Sequence, residues 1–243
     1  MNAKLFCLSA TGFLLLLVSC NKTLYRAEAV HDPMIGTKKE GSANLSVPVA
    51  PFSGFPSIDL SGGFAPTDHL ILKGAFRLRS MTYNTYEWNF SSYSTSLFGI
   101  SAEAGAGYSR ALANKNRINL FGNLAYGYNQ HGDLNNKFVI LSAQPSLLLL
   151  EARSRIGIGA RVGAIHFLHI DASGDALYES KSGKRFPVVD PYFSYELGGK
   201  QLNFYFQISM SYVSNALATE ESTVGRIAPK FVVGVNKRFI PKH

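Results

Sequence analysis

The sequence predicts an all-β fold, an antiparallel up-and-down transmembrane β-barrel of about ten strands. Segments throughout the chain alternate apolar and polar residues with a period of two, which is typical of strands with two different faces. Aromatic residues lie near both ends of the apolar faces, where a membrane-crossing strand meets the headgroup layers. Short and long connections alternate along the chain, as they do in barrels with tight turns at one end and loops at the other.

The composition agrees with this fold class. Of the 243 residues, 16% are charged, and the chain contains 22 glycines, 12 tyrosines and 17 phenylalanines. A soluble domain carries about 25% charged residues, so the low value favours a protein whose outer surface contacts lipid. Beyond residue 20, no run approaches the roughly 18 apolar residues of a membrane helix. Any crossing of a bilayer is therefore predicted to use strands.

Residues 1–19 are predicted to be a lipoprotein signal peptide. Lys4 provides a positive charge, residues 5–18 are mostly apolar, and the segment LVSC ends at Cys20. This segment resembles the lipobox of bacterial lipoproteins, which implies cleavage before Cys20 and diacylation of its thiol. An ordinary signal peptide followed by a chance cysteine is the alternative. Because Cys7 lies in the removed segment, the mature chain has no disulfide framework.

The rest of the chain divides into a tether and a barrel. Residues 20–41 are expected to form the lipidated N-terminus and a tether, because they are polar, mixed in charge and without periodicity. The barrel is assigned to residues 42–240. Its predicted strands are 42–49, 56–65, 69–82, 95–110, 116–130, 137–151, 154–170, 187–197, 201–214 and 227–240.

Residues Leu202–Val213 show the strand pattern most clearly. The more apolar face is predicted to contact lipid, and the face that carries Tyr205, Gln207 and Ser209 is predicted to line the barrel. The predicted lipid-facing residues of this strand are Phe204, Phe206, Ile208, Met210 and Tyr212.

The connections predict the orientation. Short connections are expected around residues 66–68, 114–116, 152–153 and 198–200, and long ones at 83–94, 130–136, 171–186 and 215–226. Bacterial outer-membrane barrels have short periplasmic turns, longer extracellular loops and both termini in the periplasm. An N-terminus held at the inner leaflet by lipid predicts the same assignment.

The interior is predicted to be a polar network and not an open pore. Long charged side chains alternate with glycine and small residues on the less apolar faces, and a narrow lumen leaves room for side chains to fill most of it. Buried charges need partners, so these groups are expected to pair with one another. The predicted network comprises Asp59, Lys73, Arg77, Glu103, Arg161 and Glu196.

Catalytic and cofactor sites are not predicted. His166 and His169 are expected on opposite faces of one strand, so they cannot share a metal. His131 and Asp133, with the serines of residues 91–96, contain the residue types of an acyl-transfer site, but no nucleophile motif accompanies them. The net charge of +8 includes no basic groove with aromatic platforms, which excludes nucleic acid as a partner.

The loop at residues 83–94 is a candidate binding surface. Tyr86, Trp88 and Phe90 lie within it, and exposed aromatic residues in long loops often contact ligands. The alternatives are packing over the barrel mouth and anchoring at the membrane interface.

The chain resembles small outer-membrane β-barrel proteins and, more closely, the uncharacterised lipidated barrels of Bacteroidota-type bacteria. The likeness lies in the hairpin at residues 60–70, the glycine- and tyrosine-containing strands at 105–108 and 122–128, and the closing strand at 231–239. It implies an outer-membrane location, contact with outer-membrane lipid, and no particular activity or catalytic residue.

These observations predict a lipid-anchored outer-membrane barrel with a side-chain-filled lumen. Its role is expected to be structural, or to be interaction at the cell surface through the long loops. One alternative is a soluble periplasmic barrel that binds an apolar ligand inside, as lipocalins do. Another is a lipid-modifying enzyme with a site at the barrel mouth. Periodicity alone does not separate these hypotheses, because inverting the two faces preserves the period.

Overall fold

A computed structural model describes residues 29–49, 57–86, 92–112, 115–151, 153–199, 201–213 and 227–240. In these residues, ten strands form one closed antiparallel barrel. Each strand pairs with its neighbours in sequence, and the first strand pairs with the last. Closure leaves no exposed sheet edge, since every strand has a partner on both sides. The predicted fold class is confirmed.

The strands begin and end within a few residues of their predicted limits. We call the end of the barrel where the first strand begins and the last strand ends the termini end, and the opposite end the loop end. The strands are β1 Gly41–Val49, β2 Ser57–Phe64, β3 Leu70–Tyr86, β4 Ser92–Ala111, β5 Arg117–His131, β6 Leu134–Leu150, β7 Ser154–Asp171, β8 Arg185–Gly198, β9 Leu202–Val213 and β10 Ile227–Phe239.

The strand faces are assigned as the alternation predicts. In β9, the exposed fraction of Phe204 is 75%, whereas Gln207 is fully buried inside the barrel. The same alternation extends through β5, whose inward residues are buried and whose outward residues are mostly exposed. The barrel therefore has an apolar outer wall and an interior that contains most of its buried polar groups.

One predicted long loop is a tight turn. β5 ends at His131 and β6 begins at Leu134, so Gly132 and Asp133 alone connect them, whereas residues 130–136 were expected to form a long loop. Gly132 has a φ of 59°, in the left-handed region that tight hairpin turns use. The polar residues on either side continue the strand ladder, because Asn135 pairs with Gln130. Polarity near a strand end was mistaken for a loop.

Replacing Gly132 by alanine is expected to lower the free energy of unfolding by about 1–2 kcal/mol, because a Cβ atom is unfavourable in the left-handed region. Urea titration of the purified barrel in detergent measures this change. Gly122→Ala is the matched control, since a Cβ atom at Gly122 meets no atom within 4 Å. Equal stability of the two variants would contradict the expectation.

A β-bulge in β7 reverses the predicted placement of the two histidines. Lys137 pairs with His169 and Phe138 pairs with Phe167, so Leu168 is an additional residue between them. Leu168 and His169 are both exposed, while Phe167 is buried inside. His166 and His169 consequently both lie on the outside, and the prediction of opposite faces is wrong. One inserted residue shifts the alternation beyond it by one position.

Residues 29–40, which we call the strap, lie inside the barrel except for residues 37–39, which are exposed. They were expected in the tether, but Val30, Met34 and Ile35 are at most 1% exposed. Lys39 N donates to Ala65 O at 2.7 Å, and Ala65 N donates to Glu40 O at 3.0 Å, where the strap joins β1. The missing periodicity has a physical cause: residues 29–36 of the strap are irregular and buried within the wall, so they have no solvent-facing side. Cys20 lies outside the described residues.

An apolar cluster fills part of the interior near the loop end. Its members include Phe138, Phe167 and Val188, each fully buried, with Tyr178 from the connection between β7 and β8. That connection contains a four-residue helix, α1 Ala176–Glu179. The alternation predicts charged and small polar residues on the inner faces, and it gives no sign of this apolar cluster. Among the described residues, no helix is long and apolar enough to cross a membrane.

Candidate functional site

The lumen and the strap together form the candidate site. The six residues predicted to form a polar network have side chains inside the barrel, because they occupy inward positions of β2, β3, β4, β7 and β8. All are nearly inaccessible to solvent: Asp59, Lys73, Arg77, Glu103, Arg161 and Glu196.

Glu103 is the centre of one ionic group, which we call the central cluster. Its carboxylate lies 3.2 Å from Lys73 Nζ and 2.9 Å from Arg77 Nη2. Arg161 Nη1 lies 3.6 Å from the same carboxylate, and Arg161 Nε donates to Asp190 Oδ2 at 2.6 Å. Buried charges are costly unless they are paired, and these groups pair with one another, although Asp190 Oδ1 has no hydrogen-bond partner among the described residues.

A second ionic group lies at the termini end, and we call it the rim cluster. Arg238 Nε donates to Glu196 Oε1 at 2.7 Å, and Arg238 Nη1 donates to Glu40 Oε1 at 2.6 Å. Arg155 Nη1 also donates to Glu40 Oε1, at 2.7 Å. Glu40 belongs to the strap, so this cluster attaches the strap to β7 and β10. Glu40 was missed because its segment was assigned to the tether.

Glu40 also organises the end of the strap. Its Oε2 atom accepts hydrogen bonds from Gly36 N at 2.8 Å and from Thr37 N at 3.0 Å. A carboxylate that accepts main-chain and guanidinium donors at once holds a tight local turn against the wall. Glu40 therefore joins the strap, its own turn and the rim cluster.

Wall side chains bind the strap mainly through its carbonyl oxygens. Long donors on the strands reach inward and satisfy main-chain acceptors that form no sheet hydrogen bonds. Arg77 Nη2 donates to Ala29 O at 2.9 Å, Gln207 Nε2 to Val30 O at 2.6 Å, Lys73 Nζ to His31 O at 2.8 Å, Arg155 Nη1 to Met34 O at 2.7 Å and Arg117 Nη1 to Gly36 O at 2.9 Å.

Strap side chains add specific contacts. Tyr192 OH donates to Asp32 Oδ2 at 2.8 Å, and Gln144 Nε2 donates to Tyr192 OH at 3.0 Å. Met34 packs in an apolar cluster with Leu148. These side-chain contacts set the register of the strap, which main-chain bonds alone leave undefined.

Asp59 lies inside the barrel but outside the hydrogen-bonded network. Neither carboxylate oxygen has a hydrogen-bond partner among the described residues. Asp59 pairs in register with Arg77, while Arg77 Nη2 bonds Glu103 and Ala29. The predicted network is therefore present for the other five residues, in two separate clusters.

The candidate loop surface is only partly within the described residues. Tyr86 is the last residue of β3, and its side chain is not described; Trp88 and Phe90 lie outside the described residues. The predicted binding surface therefore stays a prediction. β3 and β4 extend farther toward this loop than expected, to Tyr86 and from Ser92.

The connection between β7 and β8 is the longest described connection at the loop end. Lys181 Nζ lies 5.6 Å from the centroid of the Tyr178 ring, and both residues are largely buried. Burial lowers the pKa of the Lys181 ammonium, because a desolvated cation is less stable than the neutral amine. The contact holds this connection close to the apolar cluster.

The residues suggested for an acyl-transfer site lie at a tight turn. His131 is 4% exposed and occupies an inward position, whereas Asp133 is exposed in the turn itself. The side chains of the serine-containing segment 91–96 are not described.

Comparisons with known proteins find only solved structures of low sequence identity. No protein-family model matches the sequence, and no curated protein matches it. The chain is similar to the β domain of the Bordetella autotransporter BrkA, with a TM-score of 0.43 and 11% identity over 82% of this chain and 96% of that chain. CdiB from Acinetobacter baumannii aligns with a TM-score of 0.25 and 9% identity over 83% and 60%. The closed barrel is established by its own strand pairing.

Proposed function

We propose that the protein is an integral outer-membrane barrel, anchored additionally by lipid on Cys20 and closed by its own strap. Its role is structural, or is interaction at the cell surface through the connections at the loop end. The lipid anchor rests on the lipobox-like segment. The orientation rests on the long connections at the loop end, such as the one between β7 and β8, although the connection between β5 and β6 is a two-residue turn.

The apolar outer wall is the observation that carries the proposal. Large apolar side chains point outward on every strand, including Leu141 at 68% exposed and Phe204 at 75%. Arg77, Arg161 and Glu103, in contrast, are buried inside. An exposed apolar patch of more than a few hundred Å² is rare on a soluble protein. Lipid contact explains this distribution, since a membrane barrel carries its apolar residues outside.

The soluble ligand-binding alternative receives no support from the described lumen. A lipocalin-like barrel needs an apolar cavity inside and a polar outer wall. Here, the strap and the central cluster occupy the described interior, and the apolar cluster near the loop end is packed. No observation favours the lipid-modifying enzyme either.

Membrane fractionation tests the proposed location. The protein should sediment with outer membranes, resist extraction by high salt and carbonate, and migrate differently on detergent gels before and after boiling. Cys20→Ala separates the lipid from the barrel: the variant should stay in the membrane fraction if the strands span the bilayer. Recovery of that variant in the soluble fraction would sink the membrane proposal.

The strap is expected to close the barrel to ions. Replacing Glu40 by alanine removes the carboxylate that Arg155 and Arg238 share, so the strap should leave the wall more often. Single-channel recording in planar bilayers should show brief openings for Glu40→Ala and a closed wild-type protein. Lys38→Ala is the control, because Lys38 is exposed. Equal conductance in both variants would mean that Glu40 does not hold the barrel closed.

A further inference from the structure

A groove of about 720 Å³ crosses the outer wall over β10, β1, β2 and β3. Lys237, Ala43, Gly62 and Gly74 follow one another as cross-strand partners along it. Ala43 and Gly74 carry little or no side chain, so the main chain is the floor of the groove. Three strand spacings separate Lys237 from Gly74, which makes this row about 14 Å long.

Large apolar side chains form the wall of the groove that faces the loop end. On the side toward the loop end, Val235, Leu45, Leu60 and Phe76 are successive cross-strand partners and are between 40% and 52% exposed. Phe239, Phe64 and Leu72 lie farther toward the termini end, beyond the residues that line the groove, and are also exposed. The groove is therefore elongated, apolar and open to the surroundings of the barrel.

One end of the groove carries a cation. Lys237 is exposed, and its Nζ atom lies 5.6 Å from the centroid of the Phe239 ring. Among the described residues, Lys237 forms no ion pair. Glu103 lines the groove, but its carboxylate points into the lumen toward Lys73 and Arg77. The described residues therefore leave the charge at this end of the groove un-neutralised, so it can receive an anion.

We propose that this groove binds one acyl chain of an anionic glycerophospholipid, with the headgroup phosphate at Lys237. The inference rests on the proposed membrane location. An elongated apolar groove complements a hydrocarbon chain, and the cation of Lys237 at its end complements a phosphate. A second copy of this chain is a poorer fit, because its matching surface would bring a like cation and no carboxylate to receive it.

The test fills the groove without disturbing the wall. In Gly74→Leu, the new Cβ atom meets Glu103 O at 3.5 Å, an ordinary contact, and the side chain extends into the groove. Gly122→Leu adds the same side chain to the outer wall of β5, where nothing lies within 4 Å. Lys237→Gln removes the charge and retains the groove.

The full-length proteins are reconstituted in vesicles of equal parts phosphatidylethanolamine and phosphatidylglycerol, and native mass spectrometry counts the lipids they retain. The wild type and Gly122→Leu should retain one phosphatidylglycerol, and Gly74→Leu should lose it. In Lys237→Gln, the preference for phosphatidylglycerol should fall about fivefold, the effect typical of one lysine near an anionic surface.

Several outcomes would overturn the groove assignment. Retention by Gly74→Leu equal to that of Gly122→Leu would place the lipid elsewhere. A wild-type dimer that Gly74→Leu converts to a monomer would assign the groove to a second copy. A wild-type protein that stays in solution without detergent would contradict the proposed membrane location. A wild-type protein that inserts into vesicles but retains no phosphatidylglycerol would contradict the lipid site alone.

Discussion

Glu103→Ala is expected to lower the free energy of unfolding by about 3–5 kcal/mol, the cost of removing one partner from a buried ion pair. Glu103 neutralises Lys73 and Arg77, and Arg161 lies within reach of the same carboxylate. Without it, these cations are buried with too little compensating charge. The strap should loosen too, because Lys73 and Arg77 also bind its carbonyl oxygens.

Urea titration in detergent, followed by the gel shift between folded and boiled protein, measures this loss. Glu103→Gln should fall between the wild type and Glu103→Ala, because the amide keeps the shape and one acceptor but not the charge. Glu151→Ala is the matched control, since Glu151 is exposed and its carboxylate accepts a hydrogen bond from the uncharged Ser154 Oγ. A loss at Glu103 no larger than at Glu151 would show that the central cluster does not stabilise the barrel.

Ile208→Arg is expected to cost roughly 2–4 kcal/mol, as charged residues do at the middle of a lipid-facing strand. Ile208 points outward in β9, between the outward-facing Phe204 and Tyr212, and pairs with Phe193 and Phe231. Under the proposed membrane location, arginine there would meet hydrocarbon on all sides.

The matched control for this substitution is Gln201→Arg. Gln201 is exposed and precedes β9 at the termini end, where a charge near the membrane interface should cost about 0–1 kcal/mol. The two variants are compared by their folded fractions after insertion into vesicles and by urea titration. Equal tolerance at both positions would mean that the outer face of β9 does not contact lipid.

The strands were predictable because their signals are local. A strand places successive side chains on opposite faces. When one face contacts lipid and the other lines the lumen, apolar and polar residues therefore alternate with a period of two. β9 spans Leu202–Val213, close to the predicted 201–214, and its outward and inward residues are those that the alternation indicates. Lys73, Arg77 and Glu103 were found in the same way, because charges on an otherwise apolar strand mark its inner face.

Other features depend on which residues pair between strands, and a local sequence pattern does not predict that pairing. The bulge at Leu168 is defined by the partners of β7 on β6, so the placement of His166 and His169 could not be deduced from spacing alone. The turn at Gly132 was missed because the polar residues beside it resemble a loop. The apolar cluster around Phe138 was missed because its members share a lumen with charged groups.

The chain's own residue order is sufficient to specify a barrel of alternating faces with its charges inside. The closure of the sheet into a barrel determines which of those charged side chains form ion pairs. Glu40 and Arg238 are 198 positions apart and touch only because β1 pairs with β10. The strap likewise carries no periodic signal, since its contacts are made on all sides by donors from strands far away in sequence. Alternation is a property of the local backbone, whereas the filling of the lumen is a property of the closed sheet.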